Sequence, residues 1–180
     1  MHKKTILLVE DSPDDEALTL RALRRNHIQN PVVVAHDGVE ALAYLLPPAS
    51  HAHGEAPRDM PALILLDLKL PKVDGLEVLR RLRADDRTRL IPVVILSSSR
   101  EDQDLIAGYS LGCNGYVRKP VDFGEFTNAI RHLGLYWLVV NEPPPMMPPS
   151  SLPAPHMGRA EEKGRGGEGS VRGGRARGGT

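Results

Sequence analysis

Four apolar stretches of this 180-residue chain end on groups that do chemistry. KTILLVE (4–10) ends on Glu10, with Asp11 next, and ALILLD (62–67) ends on Asp67. IPVVILS (91–97) ends on Ser97, and NGYVRK (114–119) ends on Lys119, followed by Pro120. A carboxylate after a buried run is costly unless it is paired, hydrated or held at an open end. Gathered together, Glu10, Asp11 and Asp67 would repel one another without a cation between them. Oxygen ligands of this hardness suit a divalent ion, and Mg²⁺ is the natural choice. A lysine and a hydroxyl then remain to hold an anion beside the metal. Carboxylate, metal, lysine and hydroxyl make a site for a phosphoryl group, with Asp67 placed to act as the nucleophile.

The elements between these ends can bring them together. The four stretches and PVVVA (31–35) read as five strands. Helical patterns lie between them: Pro13 to Asn26, Asp37 to Leu46, Asp74 to Ala84, Asp102 to Leu111 and Phe123 to Leu133. Ser12 is placed to cap the first, with Pro13 at its first position, and Asp122 to cap the last. Strands apolar on both faces, alternating with helices, predict an α/β fold with a doubly wound parallel sheet, (βα)5. In such sheets the carboxyl ends of the strands converge on a ligand site.

Composition bounds the rest. Lys plus Arg and Asp plus Glu both number 23, so net charge favours neither nucleic acid nor membrane. A single cysteine, Cys113, excludes an intrachain disulfide and fits a reducing compartment. The short apolar run after MHKK lacks the length and cleavage site of a leader, and no run approaches a membrane span. A soluble, cytoplasmic protein is expected. Beyond residue 142 come EPPPMMPPSSLPAP and then GRAEEKGRGGEGSVRGGRARGGT, a proline-rich and then a Gly/Arg-rich stretch predicted to be disordered. From Arg159 onward six basic and three acidic residues give +3, which leaves the body at −3 in a neutral chain.

The constellation resembles the receiver domain of two-component response regulators, with a flavodoxin-like fold. The motifs that carry the resemblance are LLVEDS, LILLDLKLPKVDG with Pro71 and Gly75, PVVILSSS and GYVRKP, in that order. It covers about residues 4–134. The implied divisions are a receiver domain over 1–134, an apolar extension over 135–142 and the tail over 143–180. By resemblance, Asp67 accepts phosphate from a sensor histidine kinase. Asp11 binds Mg²⁺ directly, Glu10 through water, and the Lys69 backbone carbonyl is a further ligand. Lys119 contacts the phosphoryl oxygens, Ser97 moves to hydrogen-bond them and Tyr116 swings inward behind it. The Lys119–Pro120 peptide is expected to be cis. The output surface is the face of the fourth helix, fifth strand and fifth helix. The chain is thus a phosphoacceptor that also hydrolyses its own acyl phosphate, rather than an enzyme in the usual sense.

Some residues depart from the common pattern. Ser98 follows the switch serine and is still small. Lys69 and Ser99 occupy positions that look like determinants of dephosphorylation, and neither suits orienting an attacking water. A long-lived phosphoryl state is expected. PPASHAHGEAPRDMPA (47–62) is longer than a minimal loop. After the fifth helix comes LGLYWLVVNEPPP (133–145), an ending that resembles the response regulators of cyanobacterial and bacterial phytochromes. Leu135, Tyr136, Trp137, Leu138, Val139 and Val140 form an apolar run that must be covered, by a second copy or by folding back. A homodimer through 135–142 and the output face is the reading taken, with a bacteriophytochrome as the kinase.

Other readings compete. A carrier in a phosphorelay would use the same site. A haloacid dehalogenase-like phosphohydrolase would place a second aspartate two residues after its nucleophile, where Lys69 stands. A flavin- or nucleotide-binding module needs a neutral phosphate loop after the first strand, and EDSPDDEA is acidic. His51 and His53 read as a solvated loop, Cys113 as a packing residue, and the Gly/Arg tail as a disordered end. Tyr116 could equally be plain core.

Overall fold

A computed structural model of the chain describes residues 4–47, 60–119, 122–142 and 144. The five strands are β1 (Ile6–Val9), β2 (Val32–Ala35), β3 (Leu63–Leu66), β4 (Val93–Ser97) and β5 (Gly115–Arg118). The helices are α1 (Pro13–Arg25), α2 (Gly38–Leu45), α3 (Gly75–Ala84), α4 (Asp102–Ser110) and α5 (Phe123–Gly134). All strand pairings are parallel, in the order β2-β1-β3-β4-β5. This is the doubly wound (βα)5 arrangement expected, with each element within a few residues of its predicted bounds.

Successive strand residues face opposite sides of the sheet, and that alternation builds two cores. Leu7, Val9, Ile64, Leu66, Val93 and Ile95 pack with Ala41 and Leu45 of α2 and Val78, Leu79 and Leu82 of α3. Ile6, Leu8, Leu63, Leu65, Val94 and Leu96 pack with Ala22 and Leu23 of α1 and Phe126 and Ile130 of α5. The three central strands are buried throughout. β2 and β5 are mostly half-buried, because an edge strand has a neighbour on one side only.

Helix starts follow the caps. Ser12 Oγ accepts the Asp15 amide at 3.3 Å, and Pro13 opens α1. Asp37, Asp74 and Asp122 cap α2, α3 and α5 in the same way. The cis expectation falls on Pro120, and the long loop with His51 and His53 falls on 48–59; both lie outside the described residues, as does the tail beyond 144.

α5 does not stop at Gly134. Residues Leu135–Val140 continue it as a π-helical segment, with the Asn141 amide bonded to the Tyr136 carbonyl at 2.7 Å. The wider turn divides the apolar run. Leu138 is 9% exposed and joins the core of Phe126 and Ile130, with Trp137 half-buried beside it. Leu135, Tyr136, Val139 and Val140 are 52–72% exposed.

Candidate functional site

The register of the sheet decides which strand ends meet. Val9 lies beside Leu66, so the residues that follow, Glu10 and Asp67, emerge side by side. The Asp67 amide donates to the Val9 carbonyl at 3.0 Å, and Glu10 donates to Ala35 at 3.0 Å. On the other flank the Lys119 amide donates to the Ser97 carbonyl at 2.8 Å. Four chemical groups separated by up to 109 positions therefore share one edge.

At the centre stands Lys119. Its ammonium donates to Glu10 Oε2 at 2.7 Å, Asp67 Oδ2 at 2.8 Å and Asp15 Oδ2 at 2.7 Å. An ammonium has three protons, and all three are engaged. Burial works against this charge, but the bonds to Asp15, Asp67 and Glu10 outweigh it and hold the lysine above its ordinary range. The other Asp67 oxygen, Oδ1, accepts the Lys69 amide at 3.2 Å, and Glu10 Oε1 accepts the Ser12 amide at 3.2 Å. Burial raises the Glu10 carboxyl to about 7; Lys119 works against this rise and the nearby Asp67 charge adds to it.

Asp11 is exposed beside these buried acids, and one oxygen from each of Glu10, Asp11 and Asp67 lies within 4.8 Å of the others. Opposite ligands of an octahedral Mg²⁺ are ~4.2 Å apart, so this all-oxygen donor set fits a small hard cation after slight closure. The expected carboxylates meet as predicted. Asp15 was not predicted to join them; the acidic run DSPDDEA gave no reason to choose it over Asp14 or Glu16.

The loop after Asp67 is held by close approaches. A Cβ on Gly75 would lie 2.2 Å from the Asp67 carbonyl oxygen and 2.7 Å from Leu68 Cα. Only glycine lets α3 begin there, and the Gly75 amide closes the turn on the Leu68 carbonyl at 2.9 Å. Lys72 adopts φ +65°, and its ammonium pairs with Asp37, the cap of α2. These contacts fix the backbone on which Lys69 sits.

Ser97 is fully buried, and its Oγ accepts the Ser99 amide at 3.1 Å. Ser99 in turn donates to Asp104 Oδ2 of α4 at 2.6 Å. Tyr116 is already inward. Its ring lies against Gly108 of α4, and its buried hydroxyl makes no well-formed hydrogen bond among the described residues. Burial pushes the phenol up; Ser97 lies close enough to pull the other way, and the Asp104 charge adds to the rise.

A parallel sheet that brings three carboxylates, a buried lysine and a buried serine to one edge has the layout of a phosphoacceptor signalling domain. Residues 6–131 match the response regulator receiver domain, and the chain belongs to that family. It is 40% identical over 139 residues to the probable methanogenesis regulatory protein FilR2 of Methanothrix harundinacea, covering 77% of this chain and 86% of that one. It is 37% identical over 135 residues to the response regulator Rcp1 of Synechocystis, covering 75% and 89%. The Mn²⁺-bound structure of Rcp1 superposes with a TM-score of 0.68 at 36% identity, covering 78% of this chain and 99% of that one. The bacteriophytochrome response regulator RtBRR is 52% identical with a TM-score of 0.62, covering 79% and 85%. No helix among the described residues is long and apolar enough to cross a membrane.

Proposed function

We propose that the chain is a single-receiver response regulator that takes a phosphoryl group from a histidine kinase onto Asp67. The observation that carries this is the three-way bond of Lys119 to Asp67, Glu10 and Asp15, with Asp11 alongside. Asp67 forms the new O–P bond as the P–N bond of a phosphohistidine breaks and the imidazole leaves. Glu10, Asp11, Asp67 and the Lys69 carbonyl would hold Mg²⁺, which neutralises charge on the transferring group. Lys119 orients the phosphoryl oxygens, and Ser97 turns from Ser99 to bond them. Tyr116, packed against α4, passes the change to the face of α4, β5 and α5.

The likeness to RtBRR, a bacteriophytochrome response regulator, supports a phytochrome-type kinase as the partner. The exposed side of the π-helical segment supports a homodimer through residues 135–142 and the neighbouring face of α4, β5 and α5. We place the protein in the cytoplasm, with its receiver over 1–134 and its tail over 143–180. It hydrolyses its own acyl phosphate slowly: Lys69 offers no acid or amide side chain to orient water, and the Ser99 hydroxyl is engaged by Asp104.

Intact mass after incubation with acetyl phosphate and Mg²⁺ tests this reading. Wild type is expected to gain one phosphoryl group and Asp67→Asn none. An adduct that survives in Asp67→Asn would remove Asp67 from its role.

A further inference from the structure

We propose that Asp15 is a positioning residue of the phosphoacceptor site, holding the Lys119 ammonium from outside the metal-binding acids. The inference rests on the reading of Asp67 as phosphoacceptor. Of the three oxygens that bind Lys119, two belong to Glu10 and Asp67, which also belong to the acid group suited to a cation. Those two carboxylates would be shared between the lysine and a bound cation. Asp15 Oδ2, at 2.7 Å, is the one partner with no such second duty. It comes from α1 rather than from a strand end, and Ser12 fixes its backbone by capping its amide.

Two consequences follow from charge and from counting protons. Without Asp15, Lys119 has only Glu10 and Asp67 to lean on, so it competes harder with Mg²⁺ for them. The edge also loses one negative charge, which lowers its attraction for a cation further. When Asp67 carries a phosphoryl group, Lys119 must exchange a carboxylate for a phosphoryl oxygen while keeping its place. Asp15 is the bond that remains through that exchange. The side chain of Asp15 is 36% exposed while Lys119 is 7% exposed, so the pair is screened from one side only. Charge-assisted hydrogen bonds of this kind carry more weight than surface pairs.

The experiment compares wild type, Asp15→Asn, Asp15→Glu and Asp14→Asn. Mg²⁺ affinity is read by calorimetry, and phosphoryl acceptance by intact mass against time at saturating Mg²⁺ with acetyl phosphate. Asp14 is exposed in the same helical turn, so its variant removes the same charge from the same helix end. Asp15→Asn is expected to weaken Mg²⁺ binding about 3- to 10-fold and to slow acceptance ~10-fold at saturating Mg²⁺. Asp15→Glu should recover most of both, and Asp14→Asn should stay within ~2-fold of wild type. Asp15→Asn matching wild type in both readouts would overturn the proposal. So would an equal loss in Asp14→Asn, which would reduce the effect to helix-end charge. Wild type taking no phosphoryl group would instead sink the underlying reading, and this inference with it.

Discussion

Around Asp67, polar groups are matched to one another closely; along the outer side of the π-helical segment, apolar groups stay largely exposed among the described residues, with the Tyr136 ring edge-on to its neighbour Trp137. At the first place one lysine serves three carboxylates, and a glycine lets two backbone segments touch. At the second, Leu135, Tyr136, Val139 and Val140 stand in solvent, although Leu138 between them is buried. The first region is built to hold a small charged group in one geometry. The second is the surface that the proposed homodimer would cover. A signalling domain needs both, and the contrast shows where rigidity and openness have been placed.

The contrast can be broken most forcefully at Gly75. Gly75→Val puts a side chain into the Asp67 carbonyl and Leu68 Cα, and should destabilise by more than ~3 kcal/mol in urea unfolding. A cost under ~1 kcal/mol would show that the loop yields and the site is not rigid.

Next comes the split within the extension. Leu138→Ala is expected to cost ~2–3 kcal/mol and Val139→Ala within ~0.5 kcal/mol. Equal costs would mean that the helix does not keep one side inward. Val139→Glu combined with Val140→Glu sharpens the point further. Stability should hold while size-exclusion chromatography with light scattering shows a dimer reduced to monomer. A dimer that survives both charges would move the interface elsewhere.

The smallest effect is expected at the loop latch. Lys72 first, then the Glu40 amide, hold the Asp37 carboxyl below its usual range. The stabilisation is therefore present above the unfolded-state value near 3.9 and is lost as pH falls through the folded value. Lys72→Met should raise the midpoint of acid unfolding by a fraction of a pH unit, followed by circular dichroism. An unchanged midpoint would leave the pair without weight in the loop's stability.

Much of the site could be read from the chain because its chemistry is written at strand ends. Each of Glu10, Asp67, Ser97 and Lys119 closes an apolar run, and the parallel sheet brings those ends to one edge. Caps were legible for the same reason: Ser12 and Asp122 act within three residues. The contacts that escaped are those with no local pattern. Lys72 meets Asp37 across 35 positions and Lys119 meets Asp15 across 104, and nothing in either neighbourhood names its partner. The π-helical turn escaped as well. Six apolar residues in a row have no period, so their division into one buried, one half-buried and four exposed positions depends on how the helix winds.

The Lys4 ammonium donates to the Leu138 carbonyl at 2.9 Å, tying the start of β1 to the π-helical segment. Lys4 and Glu10 stand at opposite ends of that strand, about 20 Å apart at 3.3 Å per residue. The backbone at Asn141 and Glu142 thus departs from the sheet's far side, away from the acids. A fluorophore or fused partner attached there would leave the phosphoacceptor edge clear. The protein could then be tethered to a sensor surface or joined to its kinase in a single polypeptide without obstructing the chemistry being watched.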